Sequence, residues 1–147
     1  MAEIICFDKG GRDARRELAE QGRAPKEFFY GVTTLQARGY DIEQISSSAA
    51  YRGPLGSVHR AIELSWSHLT HLGLRTHFVR TVEEKLGAAR VAISFTDGFS
   101  VTLGRYYRDV GRKAPFLIGC FHGLSDLEFK APAPLRPLVA RIIKQAL

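Results

Sequence analysis

The chain has 147 residues, 45% of them hydrophobic and 24% charged, which predicts one globular domain and excludes disordered, collagen-like and disulfide-scaffold proteins. Its 21 basic and 15 acidic residues give a net charge of +6, which predicts attraction to polyanions without choosing among nucleic acid, anionic lipid and phosphorylated substrates. No apolar run approaches the roughly 18 residues of a membrane span, and the residues before Asp8 are too few for a signal-peptide core, so a cytoplasmic protein is expected.

The first third of the chain has the pattern of a βαβ unit. Residues 4–7 form a continuous apolar run, typical of a strand covered on both faces. Residues 8–24 are polar, charged and contain glycines, which indicates a loop or a loosely formed helix. A helix is predicted to open at Pro25 and to end at Gly39. Residues 40–45 then alternate apolar and polar side chains, as a strand does.

Two helices and a third strand are predicted in the middle of the chain. Ser57 suits the cap of a helix that ends at Gly73 and carries apolar residues at helical spacing, among them Val58, Ile62, Trp66 and Leu69. A weaker helix over residues 78–86 precedes a strand at residues 90–95.

The last third repeats the alternation. A helix is predicted from Asp97 to Gly111, a strand over residues 116–121, and a final helix after the proline-rich stretch 131–137. Strands that alternate with helices predict an α/β fold of three layers: a Rossmann-like open, mostly parallel sheet with helices on both faces, formed as a single domain by residues 1–147.

Polar or glycine-bearing turns follow three of the predicted strands. Ligands of open α/β sheets bind outside the carboxyl ends of the strands, and glycine in such a turn lets backbone N–H groups approach a ligand. The candidate binding residues are therefore those of the three turns: Lys9, Gly10, Gly11, Asp97, Gly98 and Gly123. Plain turn geometry is the alternative for each of them, and the spacing of Asp97 favours a helix cap.

His122 is the candidate catalytic residue. It directly follows the last predicted strand and precedes a glycine, so its ring is expected to point into the crevice. An imidazole changes charge near neutral pH and can donate, accept or shuttle a proton. The alternative is a histidine that only ends a strand.

Several common sites are not indicated by the sequence. A Gly-x-Gly-x-x-Gly after the first strand, a P-loop and a Gly-x-Ser-x-Gly are all missing, so neither a nucleotide cofactor nor a serine nucleophile is predicted. His68 and His71 lack a third ligand at suitable spacing, so no metal is expected. Cys6 and Cys120 lie in apolar runs and are predicted to be buried free thiols.

Three segments, taken in their order, resemble the N-terminal domain of GT-B glycosyltransferases. Residues 25–42 resemble its first helix and second strand, where a glycine–aromatic pair enters the strand. Residues 88–98 resemble the strand whose end lines the acceptor cleft. Residues 111–124 resemble the segment of the retaining, glycogen-synthase-like branch in which Gly-x-Lys-x-Pro is followed by an apolar strand and His-Gly.

The resemblance implies the acceptor-binding half of an enzyme of polysaccharide biosynthesis that transfers a sugar from a nucleotide-sugar to a saccharide or lipid-linked acceptor. In that family the donor binds mainly to a second, C-terminal domain, which these 147 residues do not include, so the chain alone is expected to be inactive. His122 matches the cleft histidine that contacts the transferred sugar, and Gly10 and Gly11 match the glycine-rich first loop. The face that the second domain would cover is expected to be exposed and to be where two copies could pair as a homodimer.

The positive charge leaves a second interpretation open, a stand-alone α/β module that binds an anionic ligand or nucleic acid. No RNA-binding aromatic signature or recognition-helix pattern supports nucleic acid, so none is expected as a partner. Basic residues of the last helix, Arg136, Arg141 and Lys144, could hold the protein against an anionic membrane at its inner face. A solvated helix face is the plainer interpretation of the same residues.

Overall fold

A computed structural model describes residues 2–8, 13–25, 31–46, 51, 53–111, 115–123, 126 and 129–147. These residues form a single sheet of four strands: β1 (Ile4–Asp8), β2 (Ile42–Ser46), β3 (Val91–Ser94) and β4 (Phe116–Gly119). The strand order is β2-β1-β3-β4, and every neighbouring pair is parallel. The α/β fold with an open parallel sheet is therefore confirmed.

The helices that connect and follow the strands are α1 (Asp13–Glu20), α2 (Val32–Ala37), α3 (Gly53–Thr70), α4 (Thr76–Thr81), α5 (Glu83–Ala88), α6 (Asp97–Val110) and α7 (Arg136–Ala146). The charged segment before Pro25 thus contains a regular helix. Helix α3 starts four residues before the predicted Ser57 cap. The helix predicted over residues 78–86 is two short helices that meet at Val82.

Side chains of β1 alternate between two apolar layers, as the period of a strand requires. Ile4 and Cys6 pack with residues of α1 and α2 on one face of the sheet. Ile5 and Phe7 pack with α4, α5 and α6 on the other face, where the ring of Phe7 lies 6.0 Å from that of Phe78. Helices on both faces, the three-layer arrangement, are therefore confirmed.

A third apolar cluster joins α6 to the end of the chain. Val101 of α6 packs with Val139 and Ile142 of α7 and with Leu72 of the segment that follows α3. This cluster fixes the position of α6, the helix that carries Asp97 at its first turn.

The order of the strands places a topological switch point between β1 and β3, and we call the region outside the carboxyl ends of these two strands the crevice. From β1 the chain moves outward to β2 and then crosses back to β3 on the other side of β1. The connections after β1 and β3 therefore leave on opposite faces of the sheet, and the carboxyl ends of these strands border a switch point where α/β proteins bind ligands.

Helix α3 departs from the usual pattern of a surface helix. Apolar residues at helical spacing ordinarily mark the face that packs on the core. In α3, however, Leu55, Val58, Ile62 and Leu69 are all exposed. The helix contacts the rest of the protein through Trp66, which packs against the third apolar cluster. It also does so through Glu63, whose carboxylate accepts hydrogen bonds from the His77 amide (2.7 Å) and the Tyr51 hydroxyl.

Candidate functional site

His122 and Asp97, which are 25 residues apart in the sequence, meet at the carboxyl end of β3. The backbone amide of His122 donates a hydrogen bond of 2.8 Å to the Asp97 Oδ1 atom. The His122 Nε2 atom lies 3.3 Å from the Phe95 carbonyl oxygen, a distance at which an Nε2–H tautomer donates to the carbonyl. The residue is exposed, and it is linked to the β3–α6 turn through its backbone amide and through its ring.

Hydroxyl groups hold the β3–α6 turn in shape. Thr96 is the N-cap of α6, and its side chain accepts a hydrogen bond from the Phe99 amide. The hydroxyls of Ser94 and Ser100 each donate to the Thr96 carbonyl, at 3.0 Å. The cap favoured for Asp97 is therefore wrong by one residue, because Thr96 takes that position and Asp97 begins the helix.

Asp97 sits where the electrostatics of α6 favour a carboxylate. The N-terminus of a helix carries a partial positive charge, which stabilises an acidic side chain in its first turn. Asp97 is the acidic residue of that turn, and its carboxylate also accepts the His122 amide. The Asp97 carboxylate thus balances the partial positive charge at the start of α6 and holds the loop after β4 through the His122 amide.

Gly98 is buried against the segment that follows α3. A Cβ atom at this position would lie 2.3 Å from the Gly73 carbonyl oxygen and 2.8 Å from the Leu72 carbonyl oxygen. Glycine is therefore required here by the close approach of two backbone segments. A role of Gly98 in binding a substrate stays a prediction, and the contact that the structure shows is one of packing.

A buried carboxylate at the end of β1 adds to the crevice. Asp8 is 5% exposed, and its Oδ2 atom accepts a 3.0 Å hydrogen bond from the Gln44 side chain of β2. Burial, and secondarily the negative charge of Asp8, raise the pKa of the neighbouring Cys6 thiol to about 12. Sequence reasoning placed Asp8 at the end of a strand but did not predict it as a site residue. The feature that could have indicated a site is a carboxylate directly after an apolar run.

The other predicted binding residues fall in two groups. Gly123 follows His122 and is half-buried, and its carbonyl accepts a hydrogen bond from the Asp126 amide at 3.1 Å. Lys9, Gly10 and Gly11 lie outside the described residues. The structure therefore brings together Asp97, Gly98, His122 and Gly123.

Two acidic side chains, Asp8 and Asp97, lie at the described ends of β1 and β3, although the chain carries a net charge of +6. Carboxylate, imidazole and carbonyl groups accept or donate hydrogen bonds to hydroxyls, whereas carboxylates repel phosphate. In the described part of the chain, no group of three His, Cys, Asp or Glu side chains has the arrangement of a metal site.

No helix in the described ranges combines the length and apolar character needed to cross a membrane. No protein-family model matches the chain, and neither a curated protein nor a solved structure matches it.

Proposed function

We propose that the chain is the acceptor-binding domain of a GT-B-type glycosyltransferase and that the crevice between β1 and β3 holds the acceptor saccharide. The observation that carries this proposal is the convergence of His122 on Asp97 and Phe95 at the switch point of a parallel sheet. The order of the three family-like segments along the chain supports the same assignment.

In this proposal the residues of the crevice bind and orient hydroxyl groups. A carboxylate and an imidazole held at fixed positions can hydrogen-bond neighbouring sugar hydroxyls, and such positioning lowers the entropic cost of the transfer. His122 hydrogen-bonds the acceptor sugar as well as contacting the transferred sugar, and Asp97 sets the position of His122 by accepting its backbone amide. The nucleotide-sugar donor is held by a second domain, so these 147 residues bind an acceptor but do not by themselves transfer sugar.

A stand-alone module for anionic ligands is the second candidate function, and the net charge of +6 favours it. The exposed basic side chains of α7, among them Arg141 and Lys144, are a surface for such a ligand. The same surface is where an anionic membrane would make contact.

Titration of the ¹⁵N-labelled chain with neutral oligosaccharides tests the proposal. The probes are trisaccharides of glucose, mannose and N-acetylglucosamine, followed at the amide resonances of Thr96, Asp97 and His122. At least one trisaccharide is expected to shift these resonances, and His122→Ala is expected to weaken its binding tenfold or more. His68→Ala, which removes an exposed histidine from α3, is the matched control and is expected to bind like the unaltered protein.

Two results would contradict the proposal. One is the absence of binding by every trisaccharide, or unchanged binding by His122→Ala. The other is tight binding of a short DNA duplex that weakens steeply with salt, which would establish the anionic-ligand module instead.

A further inference from the structure

Among the described strands, β4 forms an open edge of the sheet. The amides of Phe116 and Cys120 donate to carbonyls of Arg90 and Ser94, at 2.9 and 2.8 Å, and so point toward β3. Because backbone groups of a strand alternate in direction, those of Leu117 and Gly119 point away from β3. No strand of the described ranges lies on that side.

The side chains of this edge are apolar and uncharged. Phe116 is 71% exposed, Ile118 41% and Phe121 39%. Natural edge strands are usually protected by charges, prolines or bulges. The opposite edge of this sheet follows that rule, because Glu43 of β2 forms an ion pair with Lys85, whereas no residue of β4 carries a charge.

A pocket of about 260 Å³ lies beside β4 on the α6 side of the sheet. Its walls include Leu103, Leu117 and Phe121, with the small residues Ser100 and Gly119 between them. A strand added to β4 would extend the sheet over this space. The pocket therefore continues the apolar edge toward the helix layer.

We propose that β4 is a self-association edge, at which a second copy of the chain adds its own β4 in antiparallel orientation. A two-fold axis through Ile118 places Leu117 opposite Gly119 of the second copy, and Gly119 opposite Leu117 of the second copy. Each of these two pairs exchanges both of its N–H···O bonds, as hydrogen-bonded pairs of an antiparallel ladder do. Four backbone hydrogen bonds then satisfy both open residues of each copy.

The chemistry of the strand favours a second copy as the occupant. Antiparallel self-pairing places like side chains opposite each other, which destabilises a strand that carries charge but not one that carries none. Phe116, Ile118 and Phe121 together expose roughly 300 Å² of apolar side chain per copy, estimated from their exposed fractions and typical side-chain areas. This area is below the standard size of a stable interface, so the dimer is expected to dissociate on dilution.

Cysteine cross-linking tests the proposed register. In the non-hydrogen-bonded pair at the two-fold axis, the two Cα atoms of residue 118 lie about 4.5 Å apart, within the span of a disulfide. In a Cys120→Ala background, Ile118→Cys is expected to form a covalent dimer on mild oxidation. Leu55→Cys, at a residue of α3 that is 76% exposed, is the matched control and is expected to stay monomeric under the same conditions.

Analytical ultracentrifugation over a range of concentrations tests the association without a cross-link. The unaltered chain is expected to show a dimer at several hundred micromolar, and Phe116→Lys to lower its dimer fraction at least tenfold. Phe116 is largely exposed, so circular dichroism is expected to show an unchanged fold for that variant. A chain that stays monomeric at such concentrations, or equal cross-linking through Leu55→Cys, would overturn the proposal.

Discussion

The substitution Gly98→Ala separates a packing role from a binding role at the start of α6. The added methyl group would lie 2.3 Å from the Gly73 carbonyl oxygen, so α6 or the segment after α3 has to move. Forcing an extra methyl into such a contact costs about 3 kcal/mol. Alanine loses less conformational entropy than glycine on folding, and this difference offsets about 0.5–1 kcal/mol of the destabilisation.

The expected net loss in the free energy of unfolding is therefore about 2 kcal/mol, which corresponds to a fall of about 6 °C in the Tm of a chain of this size. Urea titration followed by circular dichroism measures the free energy directly. The matched control is Gly87→Ala in α5, where a Cβ atom would meet nothing within 4 Å. That variant is expected to gain about 0.5–1 kcal/mol, because only the entropic effect remains.

The reasoning would be refuted if Gly98→Ala were as stable as the unaltered chain. A stable Gly98→Ala that failed to bind any saccharide bound by the unaltered chain would instead assign the glycine to the ligand. Equal destabilisation by Gly87→Ala would show that the loss at position 98 does not come from the contact with Gly73.

Three other predictions concern the neighbouring strands and turns. The raised pKa of Cys6, about 12 against an ordinary 9.0, means that the unfolded thiol ionises first as pH rises. The stabilisation that the un-ionised Cys6 thiol gives the folded state is therefore fully present below pH 9 and decreases as the pH rises from 9 toward 12. From pH 9 to 11 the unaltered chain is expected to lose about 2 kcal/mol more than Cys6→Ala; equal losses in urea titrations would contradict this. Thr96→Ala removes the N-cap of α6 and is expected to lower the free energy of unfolding by about 1 kcal/mol. Urea titration measures this loss, and an unchanged midpoint would show that another group caps the helix. Asp97→Ala removes the acceptor of the His122 amide and is expected to speed hydrogen exchange at that amide at least tenfold, whereas Asp97→Asn, which keeps an acceptor oxygen, is expected to change it less.

The geometry at the end of β3 was partly predictable from the sequence. Residues 4–7 are apolar throughout, and residues 91–95 are apolar except for Ser94, which is how strands covered on both faces appear in a sequence. Parallel strands end at one edge, so the turns that contain Asp97 and His122 were expected to be close. Their particular link, a backbone amide on a carboxylate, depends on the loop after β4 and could not be read from spacing.

Gly98 and α3 show what periodicity does not reveal. Gly98 has the sequence signature of a turn glycine, yet its contact is with Gly73, 25 residues earlier, where the chain after α3 crosses the start of α6. Val58, Ile62 and Leu69 have the spacing of a core-facing helix, yet the structure exposes them. In both cases the outcome depends on which distant segment lies opposite.

The sequence by itself determined most of the local elements and the parallel direction of the strands, because hydrophobic period, apolar runs and glycine stops act over a few residues. Only the tertiary structure decided the burial of Asp8, the crossing at Gly98 and the open edge at β4. Each of these is set by residues far apart in the chain, and the free energy of such contacts depends on distances that no local pattern encodes.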